Sequence, residues 1–307
     1  MKKFRNLIEV TTYFADKKVC EDELEKLRWK DGTIKCPHCQ STKKIYRTKR
    51  SFKCSECNKQ FSVKKGTIFE NSPISLQKWF VAIYIISSHK KGISSHQLGK
   101  DIGVRQATAW FMLQRIRFAL ENKSFNVKLS NVVEVDETYV GGKNSNRHAN
   151  KKVKYSQGRS TKDKVAVFGM LERGGKVIAM KVNRTSSSEL FPIINKHVDK
   201  NTHIMTDEWT AYKRLGKFYP HAIVNHGKGS YVIGDAHTNT IEGFWAILKR
   251  GIIGIYHHVS KKHIDKYIKE FEYRYNTRKM DEDERFNNVL SLCESRITYK
   301  QLTKKAS

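Results

Sequence analysis

The apolar positions of this chain change their period three times along its length. Up to residue 30 they are sparse but helical, with Leu24 and Leu27 three apart just before Trp29. Residues 31–62 hold short polar runs, paired cysteines and Lys or Arg at nearly every third place, with no sustained period. From Leu76 to Leu120 the spacing is helical again, broken at Gly92 and Gly103. Beyond Asn131 it shortens to that of strands. Val132-Val133-Glu134-Val135-Asp136 is a β-branched run that ends near Gly141-Gly142. Val165–Leu171 and Val177–Val182 flank Glu172-Arg173-Gly174-Gly175, whose paired glycines mark a hairpin. Ser186 and Glu189 read as a capping box that opens a helix through about Val198. Short strands at Thr202–Thr206 and Ala222–Val224 are followed by helices at Thr238–Arg250 and His263–Arg278. The polar, basic stretch Lys143–Lys162 reads as a mobile loop, and a charged helical tail is expected from Asp281.

The order of elements in the later half predicts an α/β domain, a mixed sheet with flanking helices in which ligands gather at strand ends. The whole pattern divides the chain into a helical segment (1–30), a cysteine module (31–65), a helical region (66–128), the α/β domain (130–280) and the tail (281–307). Charge narrows the function. The chain has 307 residues with 59 Lys+Arg against 30 Asp+Glu, a net charge of +29. Such an excess opposes compaction unless a polyanion balances it, and nucleic acid gains by releasing its condensed counterions. Nucleic acid is therefore the expected partner. A membrane is not: no run of 18 apolar residues exists, and no apolar segment follows the basic start Met1-Lys2-Lys3-Phe4-Arg5. The expected location is the cytoplasm, on the nucleoid, where the six cysteines stay reduced.

Four of those cysteines form two C-x₂-C pairs, Cys36/Cys39 and Cys54/Cys57, separated by fourteen residues. Two residues between thiolates let one tight turn aim both sulfurs at one ion, and two such turns complete a tetrahedral, structural Zn²⁺ site. Cys20 and Cys293 stand alone and read as ordinary thiols. Further on, Ile93–Val104 reads as a helix ending in a turn at Gly103, with a second helix from about Arg105 carrying Arg105, Gln106, Thr108, Arg115 and Arg117. That is the outline of a helix-turn-helix, in which Arg105 and Arg115 would contact DNA. A plain helical hairpin shares the same spacing.

Three acidic residues stand where a fold could gather them. Asp136 ends the first strand run, Asp207 follows Ile204-Met205-Thr206, and Glu242 lies one position off the apolar stripe Ile241, Phe244, Trp245, Leu248. Clustered carboxylates repel unless a divalent cation neutralises them, and hard Mg²⁺ prefers such oxygens. Glu137 should point to the opposite face of the strand from Asp136, whereas Glu134 shares its parity.

These stretches carry a resemblance. Val133-Glu134-Val135-Asp136-Glu137-Thr138-Tyr139-Val140-Gly141-Gly142, Thr206-Asp207 and His237-Thr238-Asn239-Thr240-Ile241-Glu242-Gly243-Phe244-Trp245 are similar to those of insertion-sequence DDE transposases. The relevant type has an N-terminal zinc ribbon and an RNase H-like catalytic domain, and Gly251–Ser260 and Phe271–Asn276 continue the match. The resemblance implies Asp136, Asp207 and Glu242 as a metal-binding triad for Mg²⁺ or Mn²⁺, as two ions. Asn239, three residues before Glu242, is the alternative third ligand, and Lys249 stands where many such enzymes place a basic residue on DNA. It further implies binding of terminal inverted repeats, strand cleavage, strand transfer through a 3′-OH, and a homo-oligomer on DNA. A non-catalytic DNA-binding regulator and an RNase H-like nuclease are the other functions compatible with these residues.

Overall fold

Two polar side chains divide the first thirty residues into two helices rather than one. The Asn6 carboxamide accepts from Glu9 N and opens α1 (Leu7–Tyr13); the Asp16 carboxylate accepts from Lys18 N at 2.7 Å and opens α2 (Lys17–Arg28). The computed structural model describes residues 2–49, 51–121, 128–141, 148–155, 160, 162–224 and 237–303. Gly142, half of the Lys143–Lys162 stretch and residues 225–236 lie outside the described residues. After α2, the strands β1 (Ile45–Arg47), β2 (Phe52–Cys54) and β3 (Gln60–Phe61) form a small antiparallel sheet. Its inner face buries Phe52 and Phe61, stacked at 5.5 Å, with Trp29 edge-on to Phe52 at 5.3 Å.

Helices α3 (Leu76–Ser88), α4 (Ser95–Asp101) and α5 (Gln106–Glu121) follow. Ser75 and Ser94 cap the first two of these through their hydroxyls. Gly103 takes φ +61 in the turn between α4 and α5, a left-handed conformation that favours glycine.

The α/β domain is built on a five-stranded sheet of β4 (Val132–Gly141), β5 (Lys164–Glu172), β6 (Val177–Val182), β7 (His203–Asp207) and β8 (His221–Val224). The spatial order is β6-β5-β4-β7-β8. The first three strands pair antiparallel, whereas β4–β7 and β7–β8 are parallel. This mixed sheet is RNase H-like, as expected. Helix α6 (Ser187–His197) covers one face over Val133, Val135, Phe168 and Met170. Helices α7 (Asn239–Gly251) and α8 (Ile264–Asn276) cover the other over Val140, Val167, Leu171 and Ala179. The expected capping box of α6 does not form. Ser186 Oγ pairs with Ser188 Oγ, and the Glu189 carboxylate reaches back to the N–H groups of Asn183 and Arg184.

The chain separates into two compact units, Ser124–Arg278 and Met1–Lys123 with Lys279–Ser307. The segment from Asp281, expected as a charged helical tail, is helical and is packed into the first unit. It forms α9 (Glu282–Ser291) and α10 (Tyr299–Thr303), and Phe286, Val289, Leu290, Cys293 and Leu302 are buried. Phe286 meets Phe4, Phe14 and Tyr84 at 5.9, 6.3 and 5.7 Å, while Ile68 N donates to Cys293 O and Arg296 pairs with Glu70 at 3.0 Å. Among the described residues no helix is long and apolar enough to cross a membrane.

Candidate functional site

Two short turns bring the four cysteines of the small sheet together. Cys36 Sγ lies 3.7 Å from Cys57 Sγ, and Cys39 Sγ lies 3.6 Å from Cys54 Sγ. All four donor atoms lie within 4.8 Å of one another. A tetrahedral ion with Zn–S bonds of about 2.3 Å separates its sulfurs by about 3.8 Å, so the cluster fits structural Zn²⁺ with every position filled. The His38 ring stands outside the cluster, exposed beside Phe61, while its backbone N–H donates to Cys36 Sγ at 3.4 Å. Cys20 and Cys293 are fully buried thiols, and burial pushes the Cys20 thiol up to about 11.

The carboxylates gather differently. β4 and β7 run parallel with Val135 opposite Thr206, so Asp136 and Asp207 are the next residues along neighbouring strands, on the same side of the sheet. Parallel strands lie about 4.8 Å apart, close enough for the two charges to oppose each other. Burial raises the Asp136 carboxyl from 3.8 to about 7, and the charges of Glu137 and Asp207 add to the rise. A pair of oxygen donors under such strain suits a hard divalent cation. Asp207 Oδ1 accepts from Trp209 N at 3.0 Å. Glu137 points to the opposite face, where Tyr212 Oη donates to it at 2.6 Å.

Glu242 is exposed in the first turn of α7, its carboxylate accepting from Thr238 Oγ1 at 3.1 Å. Among the described residues, the four cysteines are the one group of three or more metal-ligating side chains whose donor atoms all lie within 4.8 Å of one another. Asn239 and Lys249 are exposed on the same helix. The apolar stripe Ile241, Phe244, Trp245 and Leu248 is buried against the sheet, as its spacing predicts.

Glu134, which shares the strand parity of Asp136, holds α7 in place through partners that the sequence did not name. Glu134 is fully buried and accepts from Ile241 N (2.9 Å), Thr240 Oγ1 (2.9 Å) and Arg173 Nε (2.8 Å). It supplies the carboxylate that an N-cap side chain ordinarily offers a helix start. Arg173, from the hairpin turn, also donates to His237 O at 2.7 Å. The available signal was a carboxylate inside an apolar strand run, which demands buried partners.

The helical region corrects one expectation. Arg105 is exposed just before α5. Arg115 is buried, and its guanidinium donates to Ile68 O and Glu70 O while stacking on Phe111. It and the buried Arg117 belong to the core of the first unit, because α5 is covered on nearly every face.

Residues 16–60 match a transposase zinc-ribbon domain, and residues 128–276 match an ISXO2-like transposase domain. Together the two span well over half the chain and contain the four clustered cysteines as well as Asp136, Asp207 and Glu242. The chain belongs to the ISXO2-like transposase family. An uncharacterized protein in transposable element ISH50 of Halobacterium salinarum is 28% identical to this transposase-family chain over 281 residues, covering 87% of it and 93% of the relative. An uncharacterized transposase-like protein of Haemophilus influenzae is 29% identical over 102 residues, 33% of this chain and 81% of the relative. Among solved structures, the Mos1 transposase paired-end complex with left transposon end overlaps 69% of this chain and 74% of its own, at 10% identity and a TM-score of 0.29.

Proposed function

We propose that this ISXO2-like family member binds the terminal inverted repeats of its element, cuts DNA strands there and joins the freed ends to target DNA. The observation that supports this most directly is the pair Asp136 and Asp207, side by side on the sheet face covered by α7, the helix that carries Glu242. Asp136 and Asp207 would hold the cation, and Glu242 would close on it as third ligand, with Asn239 as the alternative. Two bound Mg²⁺ or Mn²⁺ ions supply activation of water and stabilisation of the leaving 3′ oxygen. Lys249, exposed seven residues beyond Glu242 on nearly the same helical face, holds a DNA phosphate. Cleavage frees a 3′-OH, and in strand transfer that hydroxyl takes the place of water at a target phosphate. The zinc ribbon and the exposed start of α5 at Arg105 hold the repeat. Pairing two element ends requires more than one copy of the chain.

The test is cleavage of end-bearing oligonucleotides in Mg²⁺. Asp136→Ala, purified with full zinc content, should lose nicking and joining by at least about a thousandfold while still shifting repeat DNA. Equal nicking by Asp136→Ala sinks the assignment. Repeat binding with no nicking by the wild type in either Mg²⁺ or Mn²⁺ makes the protein a regulator, and nicked but never joined products make it a nuclease.

A further inference from the structure

We propose that Trp245 is a positioning residue for Asp136: seated on Gly169, its indole N–H fixes the rotation of the carboxylate that meets the cation. The proposal rests on the carboxylate reading above. Trp245 is 3% exposed, and its Nε1–H donates to Asp136 Oδ2 at 2.9 Å. Any large apolar side chain would serve the core stripe at this position, but a buried indole N–H needs an acceptor. The acceptor here is one of the two carboxylates that β4 and β7 set side by side.

The approach depends on one glycine. Asp136 is the register partner of Gly169 on β5. A Cβ added to Gly169 would lie 2.5 Å from Trp245 Cη2, 2.6 Å from Cζ2 and 3.3 Å from Ile241 Cδ1. The indole therefore rests on bare backbone, beside Ile241, at the depth from which its N–H reaches the next strand.

Two carboxylates of β4, Glu134 and Asp136, thus tie the strand to α7, Glu134 through Thr240 and Ile241 and Asp136 through Trp245. The tie at Ile241 N lies four residues before that at Trp245. Two residues along a strand advance about 6.7 Å, and four along a helix about 6 Å. The two ties are matched in spacing, so α7 is held in register with β4. Glu242 lies between them in the helix. One docking event thus fixes the orientation of Asp136 and the height at which Glu242 stands above the sheet. Donors that orient a metal ligand in this way typically affect metal affinity by 10–100-fold.

The experiment uses full-length, zinc-loaded protein and Mn²⁺, an oxygen-seeking ion that leaves a four-thiolate site alone. Trp245→Phe keeps the ring but removes the N–H, and Gly169→Ala pushes the indole away. Each should weaken calorimetric Mn²⁺ binding about tenfold. The Mn²⁺ concentration for half-maximal nicking should rise by the same factor, with a much smaller loss of rate at saturating metal. Mn²⁺ binding equal to wild type in the folded variants, with only a lower Tm, assigns Trp245 to the core and overturns the proposal. Asp136→Ala separates the two levels. If it leaves Mn²⁺ binding and nicking intact, the carboxylate reading itself fails; if it abolishes both while the other two variants change neither, the reading stands and the positioning role falls.

Discussion

The cysteine cluster and the acidic residues of this protein are built on opposite plans. The four cysteines come from 22 consecutive residues, Cys36 to Cys57, and their sulfurs are already at tetrahedral spacing. The carboxylates come from positions 71 and 35 residues apart, and the parallel pairing of β4 with β7 sets Asp136 and Asp207 side by side. A thiol set closed by local turns completes a fold and leaves no coordination position for water. The proposed acidic set, drawn from a sheet and a helix, would keep positions open, at the cost of repulsion that a cation would relieve. The same division separates two arginines of the helical region: Arg115 finds its partners inside the chain, while Arg105 faces outward.

The largest expected effect is on the closed set. Removing zinc with a strong chelator, or replacing Cys54 by Ala, should unfold the ribbon, since structural zinc binding supplies on the order of 10 kcal/mol to such modules. Persistence of the ribbon's backbone amide signals without metal would break the contrast. Next comes Arg115→Ala, which should lower stability by about 3 kcal/mol, as it leaves the carbonyls of Ile68 and Glu70 without their buried donor. Denaturant unfolding measures it.

Asp136→Asn should do the opposite. Because the folded protein holds the Asp136 proton up to about 7, against an ordinary value of 3.8, it binds more protons than the unfolded chain in that window. Metal-free stability should therefore fall as pH rises from about 4 to 7, and the asparagine variant should lack that slope. At pH 8 without divalent cations the variant should be more stable by about 2 kcal/mol. A lower Tm for the variant under those conditions would mean that the site is not strained. The smallest effect is Arg105→Ala, expected to weaken repeat binding by about 1 kcal/mol and to reduce the salt dependence by about one counterion, with no change in unfolding.

Much of this was legible in the residues. The cysteine spacing predicts its site because both turns are local. The β4 run, the hairpin and the α7 stripe were legible because period and punctuation agreed over each segment. The features that escaped were set by tertiary partners. Phe286, Val289 and Leu290 have helical spacing, but the charges of the Asp281–Arg285 stretch mask it. Arg115 and Arg117 were read outward from their charge, although α5 is apolar on nearly every face, which marks a central helix. Trp245 was legible as core, but its bond to Asp136 depends on Gly169, a residue 76 positions away whose only signature is a missing side chain.

The return of α9 to the first unit has a consequence for the order of synthesis. Residues 124–278, which hold the carboxylates, leave the ribosome as one unbroken stretch. The unit that begins the chain must wait for Phe286, Leu290 and Cys293 before its aromatic centre can close. Domains generally fold in the order in which they emerge. Here that order is inverted: the sheet with its acidic site can mature first, and the ribbon-bearing unit last. A product cut short after residue 278 would keep the whole sheet unit but lack the segment that completes the first unit.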